Sequence, residues 1–264
     1  MNKKTVLSEL LMIFGTMIWG VAFVFQDLGM NYVSPITFNV ERSFVASIFL
    51  ICFYFIYKLS NKKDKKEEEK KYTRKDIIFG SILCGFFLSL GMITQQIGIT
   101  MEGAGKAGFI TALYIIFVPI IGLFMKKKVN FLLIVGIIIS ILGLIFINFS
   151  DGQFSWGNGS WLLLGCAISY AFQILSVDYY SKRCKAILLT AGQFIVAFIL
   201  HFPLMFIFEK PEIMSMLKAW GPVLFCGVVS SGIAYTIQVY TQKNIHPTIA
   251  SLIMSLESIF SIIA

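Results

Sequence analysis

Long apolar runs separated by short polar or charged stretches make up nearly the whole chain, and nine such runs can be drawn. They cover about Leu10–Gly29, Ile36–Tyr57, Asp76–Ile99, Gly105–Met125, Phe131–Phe149, Ser160–Ser181, Ala186–Phe208, Ala219–Thr241 and Thr248–Ala264. A helix of roughly 20 residues rising 1.5 Å per residue crosses a hydrocarbon core of about 30 Å. Each run is therefore expected to be a membrane-spanning helix, and the chain an all-α polytopic membrane protein.

The runs repeat. Moving Gly91–Met125 forward by 143 residues places Gln95 on Gln238, Ala107 on Ala250, Ile110 on Ile253, Leu113 on Leu256 and Phe117 on Phe260. At an offset of 150 the sixth run overlays the first, with Gly165 on Gly15; at 151 the seventh overlays the second, with Val196 on Val45 and Gln193 on Arg42. The unit is thus five spans, residues 1–150 and then 151–264. An odd unit re-enters the membrane from the opposite side, which relates the halves by a pseudo-two-fold axis in the membrane plane.

Charge sharpens this picture. With the N-terminus placed inside, 18 of the 22 Lys and Arg residues fall in inside segments, three (Lys106, Lys210 and Lys218) fall outside, and Arg42 lies within a span. Basic loops stay cytoplasmic, so the N-terminus is expected there. The loop after the first span holds no Lys or Arg and its equivalent after the sixth holds three, as inversion requires. The mixed-charge segment from Ser60 to Asp76 reads as a solvated tether. Charged residues are only 14% of the chain and mean hydropathy is +0.81, against about 25% charged in soluble domains. The net charge of +8 follows from topology; a nucleic-acid partner would require a soluble basic face, and none is present.

Enzymatic readings fail on inventory. There is no His/Glu zinc motif, no Gly-rich phosphate loop followed by Lys-Ser/Thr and no Ser-centred nucleophile elbow. The five cysteines contain no C-x-x-C pair and read as small core hydrophobes, so neither metal nor cofactor is expected.

The polar residues inside the spans are the candidates for function. Glu257 stands ten residues beyond Pro247, about 15 Å into the core, and its repeat mate Tyr114 sits at similar depth. An ionisable group at mid-membrane is a functional hypothesis, with an interhelical hydrogen bond as the structural alternative. Arg42 and its mate Gln193 lie roughly 10 Å inside opposite faces. Arg42 offers a planar fork to a carboxylate or phosphate; snorkelling to headgroups and locking onto a neighbouring helix are its alternatives. Gln95, Gln238 and Tyr235 are candidate polar lining, and Trp19, Tyr170 and Tyr114 a candidate aromatic wall. Amides also bind helix to helix and aromatics also pack. His201, alone in its span, reads as a satisfied interior histidine.

Several of these stretches are familiar together. TMIWGVAFVFQ in the first span, SPITFNVERSFVAS in the second, QQIGITMEGAGKAGFITALYIIFVPIIGLF across the third and fourth, SKRCKAILLTAGQF at the seventh and SLESIF in the ninth resemble the EamA family of the drug/metabolite transporter superfamily. The resemblance implies ten helices as two inverted five-helix repeats, cytoplasmic termini, and outward movement of small metabolites across the bacterial inner membrane. Against that pattern a tenth span is missing, so a truncated chain of about nine helices is expected. Lys126–Lys128 stand where the family often carries an acidic ending, and Glu9 lies at the edge of the first span, not buried in it as in small multidrug exporters.

The expected function is a secondary-active exporter of a small organic metabolite. It works by alternating access through a central cavity lined by Trp19, Arg42, Gln95, Tyr114, Tyr170, Gln193, Tyr235, Gln238 and Glu257, with protons or another ion as candidate coupling partners. The alternatives are a non-transporting membrane scaffold or sensor, and an inactive truncated carrier.

Overall fold

The computed structural model describes residues 3–60, 72–127, 131–148 and 156–264. Most of the charged tether after the second run, and the outer segment 149–155, lie outside the described residues. Every regular element described is helical: α1 (Lys3–Gly29), α2 (Pro35–Ser60), α3 (Arg74–Glu102), α4 (Ala104–Thr111), α5 (Tyr114–Phe124), α6 (Phe131–Asn148), α7 (Asn158–Tyr180), α8 (Ala186–Phe208), α9 (Ile213–Lys218), α10 (Trp220–Leu224), a π-helical stretch (Phe225–Ala234), α11 (Tyr235–Thr241), α12 (Pro247–Met254) and α13 (Glu257–Ile263). Among the described residues seven helical spans are long and apolar enough to cross a membrane, counting α4 with α5 and Trp220–Thr241 each as one. Pro247–Ile263 is a shorter apolar helix, and α6 holds the fifth position with 18 residues.

The boundaries differ from the hydropathy runs where helix outlasts apolar sequence. α1 starts at Lys3 instead of Leu10, because a helix can project into water beyond the apolar stretch. Thr73 caps α3, its hydroxyl accepting from Asp76 N–H at 3.2 Å, which is why α3 begins in a charged stretch. Gly103, at φ 79°, sits in the left-handed region that favours glycine and joins α3 to α4.

Three features go beyond an expectation of straight spans. The fourth run breaks between α4 and α5 through tight i to i+3 bonds: Leu113, Ile115 and Ile116 N–H donate to Ile110, Ala112 and Leu113. The ninth run breaks through the same three bonds, Leu256, Ser258 and Ile259 N–H donating to Ile253, Ser255 and Leu256. Adding 143 to α4's bounds gives those of α12, and adding it to Tyr114 gives Glu257. The eighth run is interrupted by the ten-residue π-helical stretch, wider than an α-helix and of a type often found at functional sites.

Packing partners exchange in the same way. α3 lies along α7, and α1 along the π-helical stretch and α11; α5 packs on α7, and α13 on α1. α2 packs directly on α8. Gly20 permits the α1–α13 contact: a Cβ there would stand 2.8 Å from the Phe260 carbonyl carbon and 3.0 Å from the Glu257 oxygen. Outward faces carry exposed Phe53, Phe55, Ile56, Phe206 and Ile207, side chains suited to lipid. Cys52 also faces outward, against the expectation of a packed interior thiol, whereas the other four cysteines are buried.

Candidate functional site

A central cavity of about 30 Å³ lies where α1, α2, α3, α5, α7, the π-helical stretch, α11, α12 and α13 converge. At roughly 10–15 Å³ per water position, it has room for about two waters in this conformation. Its wall includes Trp19, Arg42, Gln95, Tyr114, Tyr170 and Tyr235, with Gln238 and Glu257 completing the residues picked out from the sequence. Gln193, the ninth of that set, does not line it. It stands behind the wall, its Oε1 accepting from Gln173 Nε2 at 3.1 Å.

The helix breaks put the key groups there. Tyr114 and Glu257 are the opening residues of α5 and α13, 1% and 6% exposed, and their side chains are electrostatic neighbours. The Tyr114 hydroxyl and the Glu257 carboxyl interact with each other, and beyond that mutual contact neither Tyr114 Oη nor Glu257 Oε1 has a hydrogen-bond partner among the described residues. Trp19 Nε1 and Gln238 Oε1 have no partner among the described residues. Buried polar groups are normally satisfied, so spare hydrogen-bonding capacity around one hollow marks a surface suited to a polar ligand or water.

Arg42 is 2% exposed and donates from Nη1 to Gln26 Oε1 at 2.7 Å, with Nε unpartnered. It turns into the bundle, so snorkelling to headgroups does not describe it. No salt bridge to Arg42 is recorded among the described residues; its charge is met by an amide. Adjacent Glu41 is only partly buried. Amides continue the network: Gln96 Nε2 donates to the Gln26 carbonyl at 3.2 Å, Gln238 Nε2 to Gln173 Oε1 at 3.1 Å, and the Tyr170 hydroxyl to Gln95 Oε1 at 3.2 Å. Gln26 and Gln173 escaped the sequence reading, although an amide inside an apolar run is the same signal that marked Gln95.

Aromatic rings close the wall. Trp19 meets Tyr235 edge-on with centroids 4.9 Å apart, and Phe194 meets the same ring at 5.2 Å. Trp19 is 7% exposed, so it is a cavity wall and not lipid-facing filler. His201 is 0% exposed, and its Nε2 pairs with Ser89 Oγ at 2.7 Å; no geometric hydrogen bond reaches Nδ1 among the described residues.

Polar clamps hold both ends of the bundle. At the Lys-rich end, buried Asp178 on α7 receives Lys127 at 2.5 Å and Lys182 at 2.9 Å, and Asn244 Nδ2 donates to Ser8 Oγ at 3.0 Å. At the opposite end Glu102 accepts from Ser160 N–H at 2.9 Å and pairs with Lys106 at 2.5 Å. There Glu209 also caps α2, accepting from the N–H groups of Ile36 and Thr37 at 2.8 Å each and from the Thr37 hydroxyl at 2.7 Å.

The model of the EamA-like transporter family matches residues 6–149 and again 157–264. An uncharacterized transporter of Archaeoglobus fulgidus is 26% identical over 98% of this chain and 77% of its own length. The uncharacterized transporter YoaV of Bacillus subtilis is 25% identical over 90% of this chain and 80% of its own. A solved crystal structure superposes with a TM-score of 0.74 over 99% of this chain and 86% of that one, at 13% identity, which shows a shared fold.

Proposed function

Because the chain belongs to the EamA-like transporter family, we propose that this membrane transporter is a secondary-active exporter of a small organic metabolite, working by alternating access. Residues 1–150 and 151–264 act as inverted repeats, and the central cavity is the substrate site. The N-terminus and the Lys-rich end face the cytoplasm of a bacterial inner membrane. The observation that carries this reading is the central hollow where two helices break at positions 143 residues apart and bring Tyr114 and Glu257 together on its wall. Broken helices expose backbone and polar side chains at mid-membrane, as the sites of inverted-repeat carriers require.

A cavity of about 30 Å³ is too small for a metabolite. Binding therefore involves movement of α4–α5 against α12–α13, which the tight bonds at each break allow without unfolding either half-helix. Arg42 and Glu257 hold the polar ends of the substrate, the aromatic rings its apolar part, and Glu257 exchanges the coupling proton. Gln193 acts through Gln173 and positions the wall.

Purified protein in sealed vesicles tests the reading. Saturable counterflow of a labelled metabolite, lost on Glu257→Ala or Arg42→Ala with the fold intact, is expected. Absence of flux across a broad metabolite panel, with tight capture of a protein partner, would support the scaffold instead. Impermeant thiol labelling of cysteines placed at Lys182 and Lys210 tests topology: reaction from opposite sides is expected, and reaction from one side would overturn the inverted arrangement.

A further inference from the structure

Arg42 carries a charge that the described residues do not balance. Its side chain is 2% exposed, and among those residues Nη1 is its only engaged donor, bonded to the neutral amide of Gln26 at 2.7 Å. Nε is buried and donates to nothing. The edge of the guanidinium formed by Nε and Nη2 is therefore open, and it presents two parallel N–H groups. A buried lysine can shed its proton, but a guanidinium stays charged, and a buried charge without an opposite partner is costly.

No carboxylate of the chain fills that role in this conformation. Glu41 precedes Arg42 on α2, where neighbouring side chains do not face each other, and no ion pair joins the two. Glu257, the only carboxyl among the residues lining the central cavity, has the Tyr114 hydroxyl as its partner. Elsewhere the bundle does pair its enclosed charges: Asp178 receives Lys127 and Lys182, and Glu102 receives Lys106. The missing counter-ion at Arg42 is thus particular to the cavity wall on which it stands.

We infer that the substrate is an organic monoanion, a single carboxylate on an apolar body, and that Arg42 binds the carboxylate through its open edge; this rests on the reading of the central cavity as the substrate site. Two parallel N–H donors match the two oxygens of a carboxylate. One charge is the number the wall accommodates. Arg42 is the only cation lining the cavity, so a second negative group would find no partner there and would face Glu257. The rings of Trp19, Tyr170 and Tyr235 supply the surface for the apolar body. Gln26 is a positioning residue, holding Nη1 so that the opposite edge stays directed away from it.

The test uses the full chain in lipid nanodiscs and four probes of similar shape: 3-phenylpropionate, its neutral amide, 3-phenylpropylammonium and the dianion benzylsuccinate. Dissociation constants come from ligand-induced shifts of the unfolding midpoint. The monocarboxylate is expected to bind at least about tenfold tighter than each of the others, the scale of a hydrogen-bonded charge. Arg42→Gln is expected to erase that preference, and Arg42→Lys, a point charge without the fork, to keep a weaker one. Equal binding of all four, tighter binding of the amide, the ammonium or the dianion, binding of none, or an unchanged preference in Arg42→Gln would each overturn the inference. The wild-type ranking decides the matter even if the Arg42 variants fail to fold. Counterflow of the same probes in sealed vesicles separates the two readings. Preferential carboxylate binding without flux would uphold the anion site and remove the carrier, whereas flux of the amide or the ammonium in preference to the carboxylate would keep the carrier and overturn the anion site.

Discussion

Tyr114 and Glu257 open the second halves of two broken helices, 143 positions apart in sequence, and line the same central cavity. One is a phenol and the other a carboxylic acid, so corresponding places at the two breaks carry different chemistry. Glu257 is a carboxyl group that can carry or release a proton, whereas the Tyr114 hydroxyl only donates or accepts a hydrogen bond.

If Glu257 exchanges the coupling proton, counterflow in vesicles depends on external pH in the wild-type protein. Glu257→Gln keeps shape and hydrogen-bonding capacity and is expected to leave a flux that no longer responds to pH. An unaltered pH response in that variant would reject the proton-carrier role.

The contact between α1 and α13 makes a steric prediction. At Gly20 a Cβ meets the Phe260 side chain and comes within 2.8 Å of its carbonyl carbon, and backbone cannot step aside. At Gly15 the nearest atom is Ile237 Cγ2 at 3.5 Å, an ordinary contact. Gly20→Val is expected to cost about 1–3 kcal/mol and to lower the unfolding midpoint in detergent, with Gly15→Ala nearly neutral. Equal midpoints for the two variants would contradict the packing.

Much of this was legible in the sequence, and the failures have physical causes. The second run was expected over Ile36–Tyr57 and α2 spans Pro35–Ser60, because apolar length measures the membrane directly. The two breaks left no such mark. Neither Ala112-Leu113 nor Ser255-Leu256 contains Gly or Pro, and three hydrogen bonds of the i to i+3 kind alter no side-chain pattern. The π-helical stretch is equally silent in a run buried by several neighbours. Depth arithmetic found Tyr114, Arg42 and Glu257, which stand out as polar in apolar sequence. Gln193, matched to Arg42 by sequence alignment alone, lies one residue behind the wall, since such a match sets height along a helix but not its rotation.

Arg42 depends on Gln26, whose amide oxygen accepts its Nη1 proton at 2.7 Å. Hydrogen bonds to charged groups contribute roughly 1.5–3 kcal/mol. Gln26→Leu is expected to lower the unfolding midpoint and slow counterflow, and Arg42→Gln in that background to cost less than it does alone. Additive effects in this double-mutant cycle would show that the pair is not coupled.

His246 ties pH to the Lys-rich end. Its Nδ1 accepts from Thr248 N–H at 3.3 Å and caps α12. Partial burial holds its pKa below the ordinary histidine value, Lys127 and Lys182 push the same way, and Asp178 opposes them. A depressed histidine binds fewer protons folded than unfolded, so stability is expected to fall as pH drops below about 6.5 toward the folded pKa. His246→Asn keeps a capping oxygen without titrating and is expected to flatten that part of the unfolding profile. A profile unchanged by the substitution would assign the pH dependence to another group.

The last prediction concerns Glu209, which closes the end opposite the lysines. Its carboxylate accepts from two N–H groups at the positive end of α2 and from the Thr37 hydroxyl, bridging the C-terminus of α8 to the N-terminus of α2. A charged cap of this kind contributes about 1–2 kcal/mol. If it serves only to cap, Glu209→Ala lowers the unfolding midpoint and nothing else. If it also holds that end shut, the variant opens it more often. Asn39, 0% exposed on α2 just below the clamp, can report this as a cysteine in a Cys52→Ser background. Labelling by an impermeant thiol reagent is expected to quicken about tenfold in the Glu209→Ala variant, the factor that corresponds to about 1.4 kcal/mol. Glu209→Gln, which retains accepting oxygen but no charge, is expected to fall between. An unchanged labelling rate beside a lowered midpoint would restrict Glu209 to capping α2.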